Sequence, residues 1–149
     1  MKKNITNNLI LELHIPNFEL AKDFYKNLGF EINLEDKPSD NEVGYMTMTR
    51  EDSIGKTMLN FYGGNAKVSD QSFFKQFPKE TARGYGVGIT IPVDNIETLY
   101  SKAQTTISNN IVRELKEITD QNQTWKDFRV TDPFGFYLRF TELIDWGQK

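Results

Sequence analysis

Cysteine is absent from this chain of 149 residues, and histidine occurs once, as His14. The absence of cysteine excludes disulfide frameworks, thiolate nucleophiles and cysteine metal sites. A single histidine also leaves few imidazole ligands for a catalytic metal, which usually takes about three protein ligands. The composition therefore does not favour a metal-dependent enzyme.

The chain also lacks any block of like charge and any long apolar run. Its formal net charge of −3 comes from interspersed signs, with no basic stretch, which argues against a nucleic-acid partner. The N-terminal stretch MKKNITNN has no apolar core or cleavage site, and no segment approaches the roughly 20 apolar residues of a membrane span. We therefore expect a cytoplasmic protein that contacts neither membranes nor nucleic acid.

The stretch LELHIPNFELAKDFYKNLGFEI, residues 11–32, has the most consistent local pattern. Apolar residues alternate along residues 9–15, which predicts a strand with one apolar face. Asn17 is placed to cap a helix whose apolar positions then recur at spacings of three and four. Gly29 is suited to the left-handed conformation that ends this helix, with Phe30 closing back on Tyr25.

A second copy of this order of elements starts near Val87. A shift of 78 positions places Ile15 on Val93 and Asn17 on Asn95, so a strand and an asparagine-capped helix recur. The turn Asp132-Pro133-Phe134-Gly135 has the residues that a type I turn prefers. The other strands are predicted at residues 30–35, 44–50, 56–62, 111–118, 124–131 and 136–142.

These elements form two βαβββ modules, at about residues 8–62 and 87–143, joined by a linker at about 63–86 with one helical turn. One module alone would leave a sheet face uncovered. We therefore expect a single α+β domain over residues 1–149. Its modules would pack side by side into a curved mixed sheet, with a concave cleft and the helices on the convex side.

The arrangement resembles the glyoxalase/bleomycin resistance protein/dioxygenase superfamily, whose paired βαβββ modules are also called the vicinal oxygen chelate fold. The resemblance covers nearly the whole chain and is carried by IPNFELAKDFYKNLGFEI and TWKDFRVTDPFGFYLRF. The aromatic residues before the DPFG turn are most similar to the metal-free bleomycin-resistance branch. That branch implies a homodimer that sequesters an aromatic or cationic ligand at the subunit interface.

The resemblance also carries the metal-ligand positions of the family's enzymes onto Ile10, Asn60, Gly88 and Arg139. Ile10 and Gly88 offer no side-chain donor atom, and Arg139 would place a permanent positive charge beside the metal. The resemblance therefore implies no metal, no cofactor and no assigned catalytic residue.

Strand alternation places polar and aromatic side chains along the expected cleft. Glu12 and His14 leave one strand on the same face, as either a proton-transfer pair or structural residues at the rim. A Glu12–Arg139 pair would either replace the lost metal structurally or anchor a charged ligand. The predicted ligand-binding residues are Glu12, His14, Asn60, Tyr62, Thr90, Trp125, Tyr137 and Arg139.

A short aromatic cluster, Phe73, Phe74 and Phe77, lies in the linker. Together with Trp125 it would form a wall for a planar ligand or, as the preferred interpretation, bury a dimer contact.

Three functions stay open. The leading one is a metal-free small-molecule binding protein, with antibiotic sequestration or resistance as one form, that binds an aromatic or charged ligand as a homodimer. The second is a metal-dependent lyase, isomerase or extradiol-type dioxygenase of the same superfamily. The third is an interaction module whose cleft is filled by Ile10, Met58 and Phe61.

Overall fold

The computed structural model describes residues 9–145, so the N-terminal stretch MKKNITNN lies outside the described residues. Eight strands and two α-helices follow the predicted order, and they confirm the α+β fold with two βαβββ modules. The elements are β1 Leu11–Ile15, α1 Phe18–Tyr25, β2 Glu31–Asp36, β3 Gly44–Glu51, β4 Lys56–Gly63, β5 Gly88–Pro92, α2 Ile96–Thr106, β6 Ile111–Asp120, β7 Gln123–Thr131 and β8 Tyr137–Asp145. Among the described residues, no helix is long and apolar enough to cross a membrane.

The strands form two four-stranded sheets with the same internal order, β1-β4-β3-β2 and β5-β8-β7-β6. In each sheet the first strand of the module runs parallel to the last one, and the other pairs are antiparallel. This repeated topology is the structural counterpart of the weak sequence repeat. The curvature and the cleft across both sheets stay predictions.

Helix α1 has the predicted ends. The Asn17 side chain accepts a hydrogen bond from the backbone N–H of Leu20 at 3.0 Å. After a single 3₁₀ turn at Lys26–Leu28, Gly29 takes φ 84° and the Phe30 N–H donates to the Tyr25 carbonyl at 3.2 Å. This is the hydrogen bond of a Schellman cap, so both local signals are confirmed.

Helix α2 starts differently, and the prediction that the Asn95 side chain caps it was wrong. Asn95 has φ 46°, and its side chain accepts from the Thr98 hydroxyl rather than from a first-turn N–H. A capping side chain needs extended backbone at this position. The Glu142 carboxylate of β8 instead accepts from the N–H groups of Asn95 and Ile96 at 2.9 and 3.3 Å.

A shared core joins the two modules. Buried residues of α1, α2 and both sheets form one hydrophobic cluster. Within it the Tyr25 hydroxyl donates to Asp132 Oδ2 at 2.7 Å, and burial raises the pKa of both groups. The other carboxylate oxygen of Asp132 accepts from the N–H groups of Phe134 and Phe136, so the predicted DPFG turn is confirmed. One side chain thus holds a turn of the second module against the helix of the first.

Strand alternation sends apolar side chains into this core and polar ones to the other side of each sheet. Leu59 and Phe61 are buried in the core, whereas Met58 is 42% exposed and Ile10 is 64% exposed. Ile10, Met58 and Phe61 therefore do not form the packed centre that the third hypothesis required.

We call the side of the β1-β4-β3-β2 sheet with Glu12 and Asn60 the first polar face. The side of the other sheet with Trp125 and Arg139 is the second polar face.

Candidate functional site

A fully buried carboxylate, Asp127, lies at the middle of the second polar face. Arg139 on the neighbouring strand β8 donates from Nε to Asp127 Oδ2 at 2.7 Å. Arg129, two residues along β7, places Nη2 at 3.6 Å from the same oxygen. A buried carboxylate is costly unless it is paired, and Asp127 is paired with both arginines. These ion pairs hold the two guanidinium groups beside it.

Aromatic rings lie beside both arginines. The Arg139 guanidinium carbon is 5.9 Å from the ring centroid of Trp125, and the Arg129 guanidinium carbon is 5.9 Å from that of Tyr137. Both distances are within the range of cation–π attraction. Arg129 Nη1 also donates to the Tyr137 hydroxyl at 2.7 Å, and this hydrogen bond raises the pKa of Arg129. The two aromatic residues and the two arginines therefore form one connected cluster.

A pocket of about 310 Å³ opens beside this cluster, and we call it the tryptophan pocket. It falls at the small end of the range of about 300–1,000 Å³ typical of ligand sites. Its walls include Thr90, Pro92, Trp125, Arg139, Thr141 and Leu143.

Buried polar atoms without a hydrogen-bond partner concentrate on the second polar face. Within residues 9–145 these atoms include Trp125 Nε1, Asp127 Oδ1, Arg129 Nε and Thr141 Oγ1. Most buried polar groups in folded proteins are satisfied, because leaving one without a partner costs about 1–3 kcal/mol. Trp125 and Thr141 line the tryptophan pocket, which places two of these unpaired polar groups in its wall.

The first polar face has a separate arrangement. His14 Nε2 donates to Glu12 Oε1 at 2.8 Å, and the His14 ring lies 4.6 Å from that of Tyr62 and 4.8 Å from that of Phe74. Asn60, in contrast, is buried, and its side-chain oxygen accepts from the Thr47 hydroxyl at 3.0 Å. That oxygen already has a partner within the protein.

The predicted ligand residues therefore divide between two sheets. The structure brings Thr90, Trp125 and Arg139 together in one pocket, with Tyr137 held beside them through Arg129. Glu12, His14, Asn60 and Tyr62 lie on the other sheet. The predicted Glu12–Arg139 pair was wrong, because His14 is the partner of Glu12 and Asp127 is the partner of Arg139.

The sequence analysis missed Asp127, Arg129 and Thr141. A signal for Asp127 and Arg129 was present, since residues 125, 127 and 129 alternate along one strand and must share a face. Thr141 follows Arg139 at the same spacing on the adjacent strand.

No family profile and no curated protein matches the sequence. A structure of a glyoxalase/bleomycin resistance protein/dioxygenase from Alicyclobacillus acidocaldarius is 20% identical, with a TM-score of 0.57, and the match covers 95% of this chain and 96% of that one. A bleomycin-binding protein solved with bleomycin is 17% identical, with a TM-score of 0.56, over 93% of this chain and 100% of that one.

A glyoxalase family protein from Enterococcus faecalis gives the same result, at 18% identity and a TM-score of 0.57 over 92% of this chain and 98% of that one. The chain has the glyoxalase/bleomycin resistance/dioxygenase fold. The fold expected from the sequence resemblance is thereby confirmed.

The side chains at the metal-ligand positions expected for this fold do not fit a divalent cation. Asn60 is engaged by Thr47, Arg139 is a cation, and Ile10 and Gly88 carry no donor atom. In the part of the chain that the structure describes, no group of three histidine, aspartate or glutamate side chains is placed to hold a metal ion. The described residues therefore offer no ligand set for a metal-dependent step at this site.

Proposed function

We propose that this protein is a metal-free small-molecule binding protein that holds a planar aromatic ligand in the tryptophan pocket. The observation that carries the proposal is the buried Asp127 carboxylate, which holds the Arg139 guanidinium beside the Trp125 ring. These groups are fixed before a ligand arrives, so binding does not have to order them.

The charges indicate which ligands fit the tryptophan pocket. Arg129 and Arg139 share the single carboxylate of Asp127, and strand pairing places Arg113 opposite Arg129. Positive charge is therefore in excess on this face. It favours an aromatic ligand that carries an anionic or hydrogen-bond-accepting group, with Trp125 Nε1 as a further donor. Sequestration of an aromatic antibiotic with such groups is the role that we propose, and the structural likeness to a bleomycin-binding protein supports it.

The substitution Arg139→Gln removes the positive charge beside Trp125. It is expected to weaken ligand binding by about tenfold or more, because a charge-assisted hydrogen bond contributes about 1.5–3 kcal/mol. The measurement uses Trp146→Phe protein, in which Trp125 is the only tryptophan, and follows its fluorescence during titration with 1-naphthoate and a panel of aromatic antibiotics.

Lys102→Gln is the matched control, since Lys102 is exposed on helix α2 and its substitution removes one positive charge elsewhere. The proposal fails if no compound changes the Trp125 fluorescence. It also fails if Arg139→Gln and Lys102→Gln bind a responding compound equally well.

We further propose that the protein is a cytoplasmic homodimer in which the second polar face of one copy lies against the first polar face of the other. Cross-strand pairing places the acidic residues Glu12, Glu31 and Asp36 on the first polar face. The same face exposes the apolar side chain of Leu34, which is 55% exposed. An acidic face with apolar patches is complementary to the arginine-rich second polar face, and this pairing would close the tryptophan pocket.

Charge reversal by Glu31→Lys should weaken this dimer by about tenfold or more, because like charges across an interface cost several kcal/mol. Sedimentation velocity at low and high salt measures the effect, and high salt should also weaken the wild-type dimer. Asp23→Lys reverses an exposed charge on helix α1 and should leave the dimer unchanged. A wild-type protein that sediments as a monomer at every concentration would rule out this assembly.

A further inference from the structure

A second cavity, of about 340 Å³, lies between the end of β1 and the segment that links the two modules. We call it the Arg83 cavity. Its apolar wall is formed mainly by Val68, Phe74, Phe77, Pro78 and Phe136. Its polar groups are Glu12, His14, Ser69, Lys79, Thr81 and Arg83. A cavity with an apolar body and a few polar groups at its edge is the usual form of a small-molecule site.

The walls of this cavity are held in place by specific contacts. Two short 3₁₀ helices, Ala66–Asp70 and Phe74–Gln76, replace the single helical turn predicted for the linker. Val68 is buried against the end of β4, and the Phe74 ring packs on His14. The linker therefore forms a structured cover over the end of the first sheet.

Arg83 carries the cation of the cavity. Its Nη1 donates to the backbone carbonyl of His14 at 2.8 Å, which fixes the guanidinium at the cavity wall. No ion pair of the described residues involves Arg83. Burial lowers the pKa of Arg83, and no nearby carboxylate among residues 9–145 opposes this shift. The guanidinium nevertheless remains charged at neutral pH. A partly buried cation without a counter-charge is costly, and an anion that binds beside it removes that cost.

The carboxylate of Glu12 does not serve as that counter-charge. It accepts the hydrogen bond from His14 Nε2, and its side chain is 41% exposed to solvent. The hydrogen bond from His14 Nε2 therefore disperses part of its negative charge. Lys79 adds a second positive charge at the cavity, so cations outnumber carboxylates there.

We propose that the Arg83 cavity binds a small organic acid, with its carboxylate on the Arg83 guanidinium and its apolar body against Phe74, Phe77 and Phe136. This site is distinct from the tryptophan pocket, with which it shares no lining residue. It does not depend on the proposed function, because neither Trp125 nor Arg139 takes part in it. The protein thus has room for two ligands.

Titration with hexanoate tests this proposal, and hexanamide is the neutral probe of nearly the same shape. Both are followed by amide shifts in two-dimensional NMR spectra. Hexanoate should shift the amides of residues 66–83, bind about tenfold or more tightly than hexanamide, and leave the Trp125 indole N–H signal unchanged. An aliphatic probe has no ring to stack on Trp125, so failure of the tryptophan pocket would not affect this result.

Arg83→Gln should lower hexanoate affinity by about tenfold or more, whereas Arg83→Lys, which keeps the charge, should retain most of it. Lys102→Gln, which removes an exposed positive charge on helix α2, is the matched control and should leave hexanoate binding unchanged. Three results would overturn the proposal: no hexanoate binding up to millimolar concentration, equal affinity for hexanamide, or equal affinity of Arg83→Gln and wild type. The dispersion of the NMR spectrum shows that each variant is folded.

Discussion

Alanine at position 84 is expected to lower the free energy of unfolding by about 3 kcal/mol, at the upper end of the cost of overpacking. A Cβ atom built on Gly84 would lie 2.1 Å from the carbonyl oxygen of Gly135 and 2.8 Å from the Cα atom of Phe136. Both atoms belong to the backbone, so no side-chain rotation can relieve the clash. Urea denaturation of Gly84→Ala and wild type measures the difference.

Gly88→Ala is the control for this substitution. A Cβ atom there would meet only the Tyr137 ring, at an ordinary contact distance of 3.8 Å. Its unfolding free energy should stay within about 0.5 kcal/mol of wild type. If Gly84→Ala were as stable as Gly88→Ala, the close approach of the linker to the DPFG turn would be wrong.

Asp127→Asn is expected to lower the free energy of unfolding by about 2 kcal/mol, because it leaves two arginines without their shared counter-charge. The usual cost of removing one partner from a fully buried pair is larger, about 3–5 kcal/mol. Here the side chains of Arg129 and Arg139 are 24% and 30% exposed, so water screens part of the effect. Binding in the tryptophan pocket should weaken in the same variant, since Arg139 is no longer held beside Trp125.

A double-mutant cycle separates the charge effect from a general loss of packing. With Asp127→Asn and Arg139→Gln combined, one arginine charge is gone, and the double variant should lose less stability than the two single losses added together. Strict additivity in urea denaturation would show that Asp127 and Arg139 do not stabilise each other.

The sequence predicted the fold well where the signals were local. Asn17, Gly29 and the DPFG turn act through contacts within a few residues, and each was confirmed. Strand alternation also separated the core positions from the polar faces. Asn95 had the same local pattern as Asn17, but its backbone is left-handed, and its helix is capped by Glu142 of β8, a tertiary contact that no local pattern encodes.

The candidate sites depend on contacts across the chain, and prediction of them was correspondingly partial. The family resemblance placed Arg139 at the expected cleft, the aromatic stretch before the DPFG turn placed Trp125 there, and the two side chains do line one pocket. Strand alternation placed Thr90 on the same face. It gave no information on which strands of the two sheets are neighbours, so Glu12 was assigned to Arg139 rather than to His14. Arg83 lies in a linker without periodicity, and its contact with the His14 carbonyl joins residues 69 positions apart.

Helix α1 is capped by a neighbouring residue and helix α2 by a distant one, and we expect this difference to affect the order in which they form. Asn17 caps α1 from within the same short segment, so this helix can start to form while the rest of the chain is unfolded. The cap of α2 comes from Glu142, 47 positions beyond Asn95, and is available only after β8 has docked. Loop closure must precede that contact, and its entropy slows the step. We therefore expect α1 to gain its cap early in folding and α2 to gain its cap only once the last strand is in place.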